Sequence, residues 1–590
     1  MDTVMDKNIV EDAINAKPRL ATFLLSFCMF STGASGLVNE YVLATITSYI
    51  LGNSVKQFSL IIAAMMFMMG VATWFQKKIF DSNLIEKFVI IEVLMAIFGA
   101  SAPLAIYLSY AYLPGVFNII LIGYIMFIGF LIGFEIPLVI RINEDYSKQL
   151  KVNLSYVLAM DYIGSFAGAI LWVYVLLKYF PLSQIGFIVS GFNFFVATLT
   201  CLYFIRHGLV KYVKTIISLL CITIALLTYG SINNRTWVIT AEYKMFDDEV
   251  VFSKTSVYQH LVLTYNRLLD DYRLYINGGT QFSTVDEFIY HEHLVHPVMK
   301  LVEDHDNVLI LGGGDGMALR EVLKYKDVKK VTLVDLDPAM TTTFATHPLL
   351  IKLNNNAFKD ARVLVQDSGA VKPRMVKTYQ EQEDGTMKEV IVPDTEDIRM
   401  ENGEYTLEGK AITESVAEVN VMNLDADRFL STISGYYNVI ILDFPDPNGI
   451  ELAKLYSKGF FLKLKKHLAK NGMIVMQSTS PYHSKESFLC IGRTMRAAGI
   501  QNIPYHDNVP SFGDWGWWMG WNSAKSSEDV KSEIQDITSF DVETRYLTSE
   551  VSKAALVFGK GRLETEHETV NTMMRPVLMT HYLDDDWKIE

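Results

Sequence analysis

Cysteine is scarce. There are four in 590 residues, Cys28, Cys201, Cys221 and Cys490, with no CxxC and no paired spacing. That excludes a disulfide framework and a cysteine-built zinc site. Basic residues are also few, 52 Lys and Arg against 65 Asp and Glu, for a formal net charge of −13. Neutralising phosphates needs clustered Lys and Arg, so no nucleic-acid partner is expected. An acidic protein suits a cationic substrate, though solubility alone also selects for acidity. Residues 1–18 mix Asp, Glu and Lys without an apolar core, so this tail does not read as a signal peptide.

Apolar sequence, by contrast, dominates residues 19–235. Seven runs there reach the ~20 mostly apolar residues that a bilayer-crossing helix needs: 20–46, 55–76, 86–110, 116–140, 154–178, 183–205 and 209–230. Lys77, Lys78 and Lys87 mark one connection, Arg141, Lys148 and Lys151 another, and Arg206, Lys211 and Lys214 a third. The positive-inside rule puts these loops and the N-terminus in the cytoplasm. Seven crossings would then leave the C-terminal half outside, whereas a domain using a cytosolic nucleotide belongs inside. Either one segment is re-entrant, or 20–52, interrupted by Gly33, Gly36 and Asn39, crosses twice. Glu40, Glu92, Glu135 and Asp161 fall at membrane depth, where ionisable groups are costly and candidates for function. They pair with neighbouring helices, sit near an interface, or line a cavity for a cation. Gly164, Ser165, Gly168 and Ala169 form a small-residue face suited to close helix packing.

From residue 236 the composition is that of a soluble protein. Residues 248–283 are rich in Val, Tyr, Phe and Thr, with turns at Asn266 and Asn277-Gly278-Gly279. They predict a small antiparallel β-domain, assigned to 236–300 together with a helix over 284–301. Thr284 and Glu287 have capping-box spacing at that helix start. A buried strand at 307–311 precedes Gly312-Gly313-Gly314-Asp315-Gly316, a helix over 317–325 and a strand over 331–335 that ends on an acid. This order is the nucleotide-binding layout of a doubly wound sheet, in which glycines admit the ligand and the acid takes ribose hydroxyls. A strand at 437–442 delivers Asp443 and Asp446 ahead of Pro447, at the strand end where such sheets place ligands. A strand at 472–477 and helices over 452–470 and 484–498 complete a Rossmann-like domain, 301–540. Residues 372–418 interrupt it; Asp384-Gly385 and Asn402-Gly403 predict a solvent-exposed pair of β-hairpins, serving as lid, oligomer contact or tolerated insertion. Residues 541–590 are a C-terminal extension. The expected fold class is a multi-pass α-helical membrane domain, then a small β-domain and an α/β Rossmann-like, methyltransferase-type domain.

Between about 250 and 520 the chain carries, in order, Tyr258-Gln259, Gly278-Gly279-Thr280-Gln281 and Asp286-Glu287-Phe288-Ile289-Tyr290-His291-Glu292. The glycine loop with Arg320-Glu321-Val322-Leu323, Asp425-Ala426 and Asp443-Phe444-Pro445-Asp446-Pro447 follow. This series resembles the spermidine synthase (polyamine aminopropyltransferase) family. The apolar half, with Asp161-Tyr162-Ile163-Gly164, resembles the multi-helix extension of its membrane-bound bacterial subgroup. The resemblance implies a methyltransferase-like Rossmann fold and a homodimer. It implies decarboxylated S-adenosylmethionine as aminopropyl donor, a co-substrate with no prosthetic group beside it. A diamine such as putrescine would be the acceptor, with spermidine and methylthioadenosine as products. It also implies roles: Asp443 as catalytic base, Tyr290 orienting the attacking nitrogen, and Asp446 on the acceptor's distal ammonium. Asp315 would hold the donor's aminopropyl ammonium, Asp335 its ribose and Asp425 its adenine, beside Gly312 and Gly314. Gln259 would line the donor cleft, and Gln281, His291 and Phe512 the acceptor side. The chemistry agrees, because an alkylammonium titrates near ~10.4 and must lose its proton to a base before it can attack.

Plainer roles compete. Asp beside Pro commonly shapes turns, and Asp315 could cap the next helix. Asp367-Ser368-Gly369 rivals Asp425 for the adenine, although a strand over 419–422 favours Asp425. His291, His293 and His296 invite a metal ion, but the match at Tyr290-His291 favours substrate-side packing, and no metal is expected. The family often has Tyr where Phe512 stands, which leaves the acceptor open. Trp515-Gly516-Trp517-Trp518 packs an apolar acceptor chain or fills the core. Two other functions remain open. One is an S-adenosylmethionine-dependent amine N-methyltransferase, against which Asp315 and the Asp443/Asp446 pair argue. The other is a polyamine transporter or sensor with a nucleotide-sensing domain, motivated by the membrane carboxylates. The expected location is the cell (inner) membrane, with the lipid bilayer as partner and the catalytic domain cytoplasmic.

Overall fold

The computed structural model describes residues 2–51, 54–144, 150–256, 258–359 and 417–584, and the strands 375–381, 387–393, 398–401, 404–407 and 410–411. The chain divides into two compact units, Met1–Val257 and Tyr258–Glu590.

The first unit is helical apart from the strand Glu249–Thr255 near its end. Among the described residues, seven helices are long and apolar enough to cross a membrane: Thr22–Leu51, Val55–Lys78, Leu84–Tyr112, Pro114–Glu144, Leu154–Tyr179, Leu182–Arg206 and Val213–Met245. The first is continuous from Asp2 to Leu51, so the stretch 20–52 does not cross twice. Its glycines are packing positions rather than breaks. A Cβ on Gly33 would lie 2.2 Å from the Asp161 carbonyl oxygen, and one on Gly164 would lie 2.0 Å from that of Phe30. The first and fifth helices therefore cross backbone to backbone, as the small residues after Asp161 predict. The last helix runs to Met245, beyond its expected end near 230, because nothing in 231–245 breaks a helix.

In the second unit, strands His260–Asn266, Asp271–Ile276 and Gly279–Ser283 pair antiparallel in sequence order. Asn277 and Gly278 take positive φ in the tight turn between the last two. The capping-box expectation for Thr284 is corrected. The helix spans Glu287–Leu301 with Asp286 at its N-cap and no side-chain cap bond. Thr284 instead closes the meander, its hydroxyl donating to Asp271 at 3.0 Å.

A seven-stranded sheet follows, formed by β1 (Asn307–Gly312), β2 (Lys330–Asp335), β3 (Glu418–Asn423), β4 (Tyr437–Asp443), β5 (Leu468–Gln477), β6 (Gln501–Val509) and β7 (Gly513–Trp521). Their order is β3-β2-β1-β4-β5-β7-β6. Neighbours pair in parallel, except that β7 runs antiparallel to β5 and β6. This is the Rossmann-like sheet expected, with its order reversing between β1 and β4. Apolar runs such as Val308–Leu311 and Val439–Leu442 are buried on both faces, as parallel strands require. The helix predicted over 452–470 is two, Ile450–Ala453 and Lys458–His467, because Ser457 caps the second. Within the interruption between β2 and β3, Met375–Glu381 pairs with Met387–Pro393, and Ile398–Glu401, Glu404–Leu407 and Lys410–Ala411 form an antiparallel set. Asp384-Gly385, Asn402-Gly403 and Asp367-Ser368-Gly369 lie outside the described residues.

Candidate active site

Where the strand order of an open sheet reverses, the connections diverge and leave a crevice at the strands' carboxyl ends. Here Gly312 ends β1 directly beside Asp443, which ends β4. Gly312 has φ +84°, and a Cβ there would lie 2.0 Å from the Asp443 carbonyl oxygen, so only glycine fits. Gly314 donates its N–H to Asp335 Oδ2 at 3.1 Å, and Asp337 donates to Oδ1 at 2.8 Å. A Cβ on Gly314 would sit 2.6 Å from the Asp335 carboxyl carbon. Burial pushes Asp335 up to about 7 despite the two N–H bonds. Asp315 does cap its turn, accepting from Met317 N at 2.9 Å. It also meets His291 and Asp443, with one ligand-type atom from each residue within 4.8 Å of the others.

Tyr290, on the second turn of helix Glu287–Leu301, donates its hydroxyl to Asp443 Oδ1 at 2.6 Å. Burial pushes Asp443 up to about 6 and the Asp315 charge adds to that, while His291 and the Tyr290 hydroxyl oppose it. His291 is itself held by a buried network. Its Nδ1 lies 2.8 Å from Glu287 Oε2. Arg320 donates to both Glu287 oxygens at 2.9 Å and, through Nε, to Glu321 at 2.8 Å. Glu321 in turn lies 2.8 Å from His296 Nε2. Burial lowers His291, but the Glu287 carboxylate outweighs it, with Asp315 and Asp443 adding, and raises it to about 9. His291 is therefore an imidazolium at neutral pH, a fixed cation beside the crevice carboxylates.

Asp446 is pushed up to about 6 by burial. Its Oδ2 accepts the Tyr582 hydroxyl at 2.9 Å, and Gln477 Nε2 lies 3.4 Å from Oδ1. Gln477 ends β5 and also donates to Tyr456 Oη at 2.9 Å. Tyr582 belongs to helix Val577–Asp584, about which the sequence was silent. Asp286 accepts Ser511 N at 2.6 Å and so anchors the loop that carries Phe512, whose ring centre is 6.3 Å from that of Tyr290. Trp517 and Trp518 fill the core, Trp517 stacking on His293 at 5.1 Å and on Tyr505 at 5.5 Å.

Gln281 is half-buried on Gly279–Ser283, where its Nε2 lies 3.5 Å from Thr280 O. Gln259 is half-buried just before its strand. Asp425 follows β3, caps helix Ala426–Thr432 through Arg428 N at 3.0 Å, and pairs with Lys454. Burial opposes this, but Lys454 holds its carboxyl below the usual range. Asp425 thus turns to Arg428 and Lys454, not to the group around Asp443.

Among the described residues, two clusters have metal-like spacing, His291–Asp315–Asp443 and Glu292–His296–Glu321. Most of their atoms are already committed. Glu292 takes the backbone N–H groups of Tyr546 and Leu547 at 2.9 and 2.8 Å, binding the C-terminal segment to the helix. His296 and Glu321 bond each other, and His291 Nδ1 faces Glu287. A metal ion would have to displace these bonds.

The spermine/spermidine synthase domain matches residues 287–408 and 401–532. Polyamine aminopropyltransferase 1 of Ralstonia nicotianae is 33% identical over 586 residues, covering 98% of this chain and 98% of its own. The polyamine aminopropyltransferase of Oceanobacillus iheyensis is 33% identical over 555 residues, covering 93% and 94%. A solved spermidine synthase in complex with the transition state analogue AdoDATO is 20% identical, covers 53% of this chain and 88% of its own, and has a TM-score of 0.40, too low to bear on the site. Alignments of this length take in the apolar half as well as the sheet.

Proposed function

The chain belongs to the polyamine aminopropyltransferase family, and from that premise we propose that the crevice between β1 and β4 carries out the transfer with Asp443 as its base. The protein is an aminopropyltransferase that uses decarboxylated S-adenosylmethionine as co-substrate and a diamine such as putrescine as acceptor. The observation that carries the site assignment is the Tyr290–Asp443 hydrogen bond at 2.6 Å, set beside the carboxylates of Asp315 and Asp446.

The acceptor arrives as a dication. Asp446 holds one ammonium, and Asp443 takes a proton from the other. The freed nitrogen attacks the methylene next to the sulfonium. A C–N bond forms, the C–S bond breaks with its electron pair going to sulfur, and methylthioadenosine leaves. Asp315 would grip the donor's own ammonium, and Asp335 its ribose, which Gly312 and Gly314 let approach. Asp425 would reach the adenine, with Gln259 along the donor and Gln281 and Phe512 along the acceptor. Raising Asp443 to about 6 narrows its gap to an alkylammonium by roughly 2 pH units, about 3 kcal/mol of proton-transfer cost. His291, positive beside it, keeps the base ionised.

Two predictions follow from this geometry. Protonated Asp443 cannot accept a proton, and Asp446 protonates in the same range, so kcat/KM for the diamine should fall at least about tenfold per pH unit below about 6. A pH–rate profile without that acid limb would remove Asp443 from the role. Tyr582→Phe deletes one hydrogen bond to the Asp446 carboxylate, so KM for the acceptor should rise about tenfold with KM for the donor unchanged. Steady-state kinetics with each substrate varied in turn measures both.

Large apolar side chains point outward from the first unit, including Phe67 at 65%, Ile119 at 72% and Phe166 at 68% exposure. Lipid is the solvent that suits them, so this unit spans the cell membrane. We place the second unit in the cytoplasm, with its nucleotide-derived donor. Seven full crossings with the three basic loops inside would place it opposite, so one helix stops short of crossing. Protease added to intact spheroplasts should spare the second unit; its digestion there would put it outside. A homodimer, as the resemblance implies, is checked by light scattering of the solubilised protein.

A further inference from the structure

Aminopropyl transfer makes no use of the interior of the first unit, yet that interior holds two carboxylates. Glu92, on Leu84–Tyr112, is 1% exposed, and Glu135, on Pro114–Glu144, is 0% exposed. Glu92 is partnered: Asn193 Nδ2 donates to its Oε2 at 2.7 Å and Thr32 Oγ1 to its Oε1 at 3.4 Å. Glu135 has no partner within hydrogen-bond distance of either oxygen, although the Thr32 hydroxyl is near enough to act on it. Its surroundings are acidic, with Glu92 and Asp161 near enough for their charges to act on it. The hydroxyls of Ser31 and Ser190 are also buried and unpartnered. Ser190 adjoins Asn39, both meeting the position a Cβ on Gly99 would take, at 2.7 and 2.9 Å. Among the described residues no Lys, Arg or His pairs with Glu92 or Glu135.

A bundle in lipid does not leave polar atoms unsatisfied without cost, and an uncompensated carboxylate is the most costly of them. The unsatisfied atoms here are acceptors or hydroxyls that can accept. What completes such a set is a cation rich in donors. A primary ammonium presents three N–H groups from a single point. A divalent metal suits the site less: hard cations take six or more oxygens, and the groups of three or more converging His, Cys, Asp or Glu among the described residues both lie in the second unit.

We propose that the first unit contains a second amine site, in which Glu135 and Glu92, with Thr32 and Asn193, bind the protonated amino group of a diamine or polyamine. The choice of amine over other monovalent cations rests on the aminopropyltransferase reading, because this is the cation class the second unit consumes and produces. The carboxylates are sealed from solvent, so the site is an occluded one that amines enter when the helices part.

The test is equilibrium binding of radiolabelled putrescine and spermidine to the full chain in lipid nanodiscs. An Asp446→Asn background weakens acceptor binding in the crevice. About one equivalent per chain should remain there, weakened at least tenfold by adding Glu135→Gln and likewise by adding Glu92→Gln. Size-exclusion profiles and melting curves of each variant guard against misfolding, and Glu92→Gln keeps the test open if Glu135→Gln fails to assemble. No remaining equivalent, or remaining binding indifferent to both substitutions, overturns the site. Displacement of the amine by equimolar Na⁺ overturns the amine assignment. The fate of the crevice is read separately, because Asp443→Asn turnover tests the base without involving the first unit.

Discussion

Asp443→Asn should lower aminopropyl transfer by about 10²–10⁴-fold, the range a positioned general base contributes. Asn keeps the shape of Asp and an oxygen to accept the Tyr290 hydroxyl, which now sits 2.6 Å from Asp443 Oδ1. What it loses is the ability to take a proton from the attacking ammonium. Donor binding should stay within a few-fold of the native value, because the glycine loop's hydrogen bond to Asp443, from Gly313 N at 3.2 Å, goes to the backbone carbonyl, which the substitution leaves alone. Stability should not fall, since the carboxylate is buried and repelled by Asp315, and an amide carries neither penalty. The measurements are methylthioadenosine release at saturating substrates and equilibrium binding of the donor. Turnover within tenfold of native would sink the assignment. Tighter binding of S-adenosylmethionine than of its decarboxylated form would instead favour methyl transfer.

Glu287→Ala should destabilise the second unit by about 3–5 kcal/mol, the cost of removing one partner from a buried ionic network. Glu287 is the hinge of that network, bonding the Arg320 fork at 2.9 Å on both oxygens and His291 at 2.8 Å. Without it the guanidinium keeps Glu321 and the Leu353 carbonyl, and the imidazolium loses its main counter-charge. The pH dependence carries a second signature. His291 has its pKa raised in the fold from 6.5 to about 9, so its contribution is fully present below about 6.5 and is lost as pH rises through about 9. Native protein should therefore lose stability between about 6.5 and 9, and Glu287→Ala should show a flatter profile in that window. Melting curves of the full chain from pH 6 to 10 measure this. A variant that melts with native stability and native pH dependence would show that Arg320 and His291 do not depend on Glu287.

Much of the crevice was legible before any coordinates, because it is built from local chain patterns. The glycine loop, Asp335, Asp443 and Asp446 each sit at the end of an apolar run, and the end of a buried strand is where the chain meets solvent and ligand. The helix count in the first unit was legible for the same reason: ~20 apolar residues carry their own length requirement. Thr284 shows where a local rule misleads. Its spacing to Glu287 fits a cap, but two tertiary partners, Asp271 for the one and Arg320 for the other, compete and win.

Sequence alone was enough for the two-part architecture, the Rossmann-like sheet and the carboxylates at its strand ends, since each is written in periodicity, turn residues and motif order over short stretches. Tertiary structure decided the rest. It brought Tyr582 onto Asp446 across 136 positions and Glu292 under the backbone of Tyr546 and Leu547. It turned Asp425 toward Lys454 and ran one helix straight through Gly33 and Gly36. It also left Glu135 without a partner within hydrogen-bond distance. Hydrogen bonds between distant residues leave no period in a sequence, and whether a buried carboxylate is satisfied depends on which helices surround it, so these features exist only once the chain has packed.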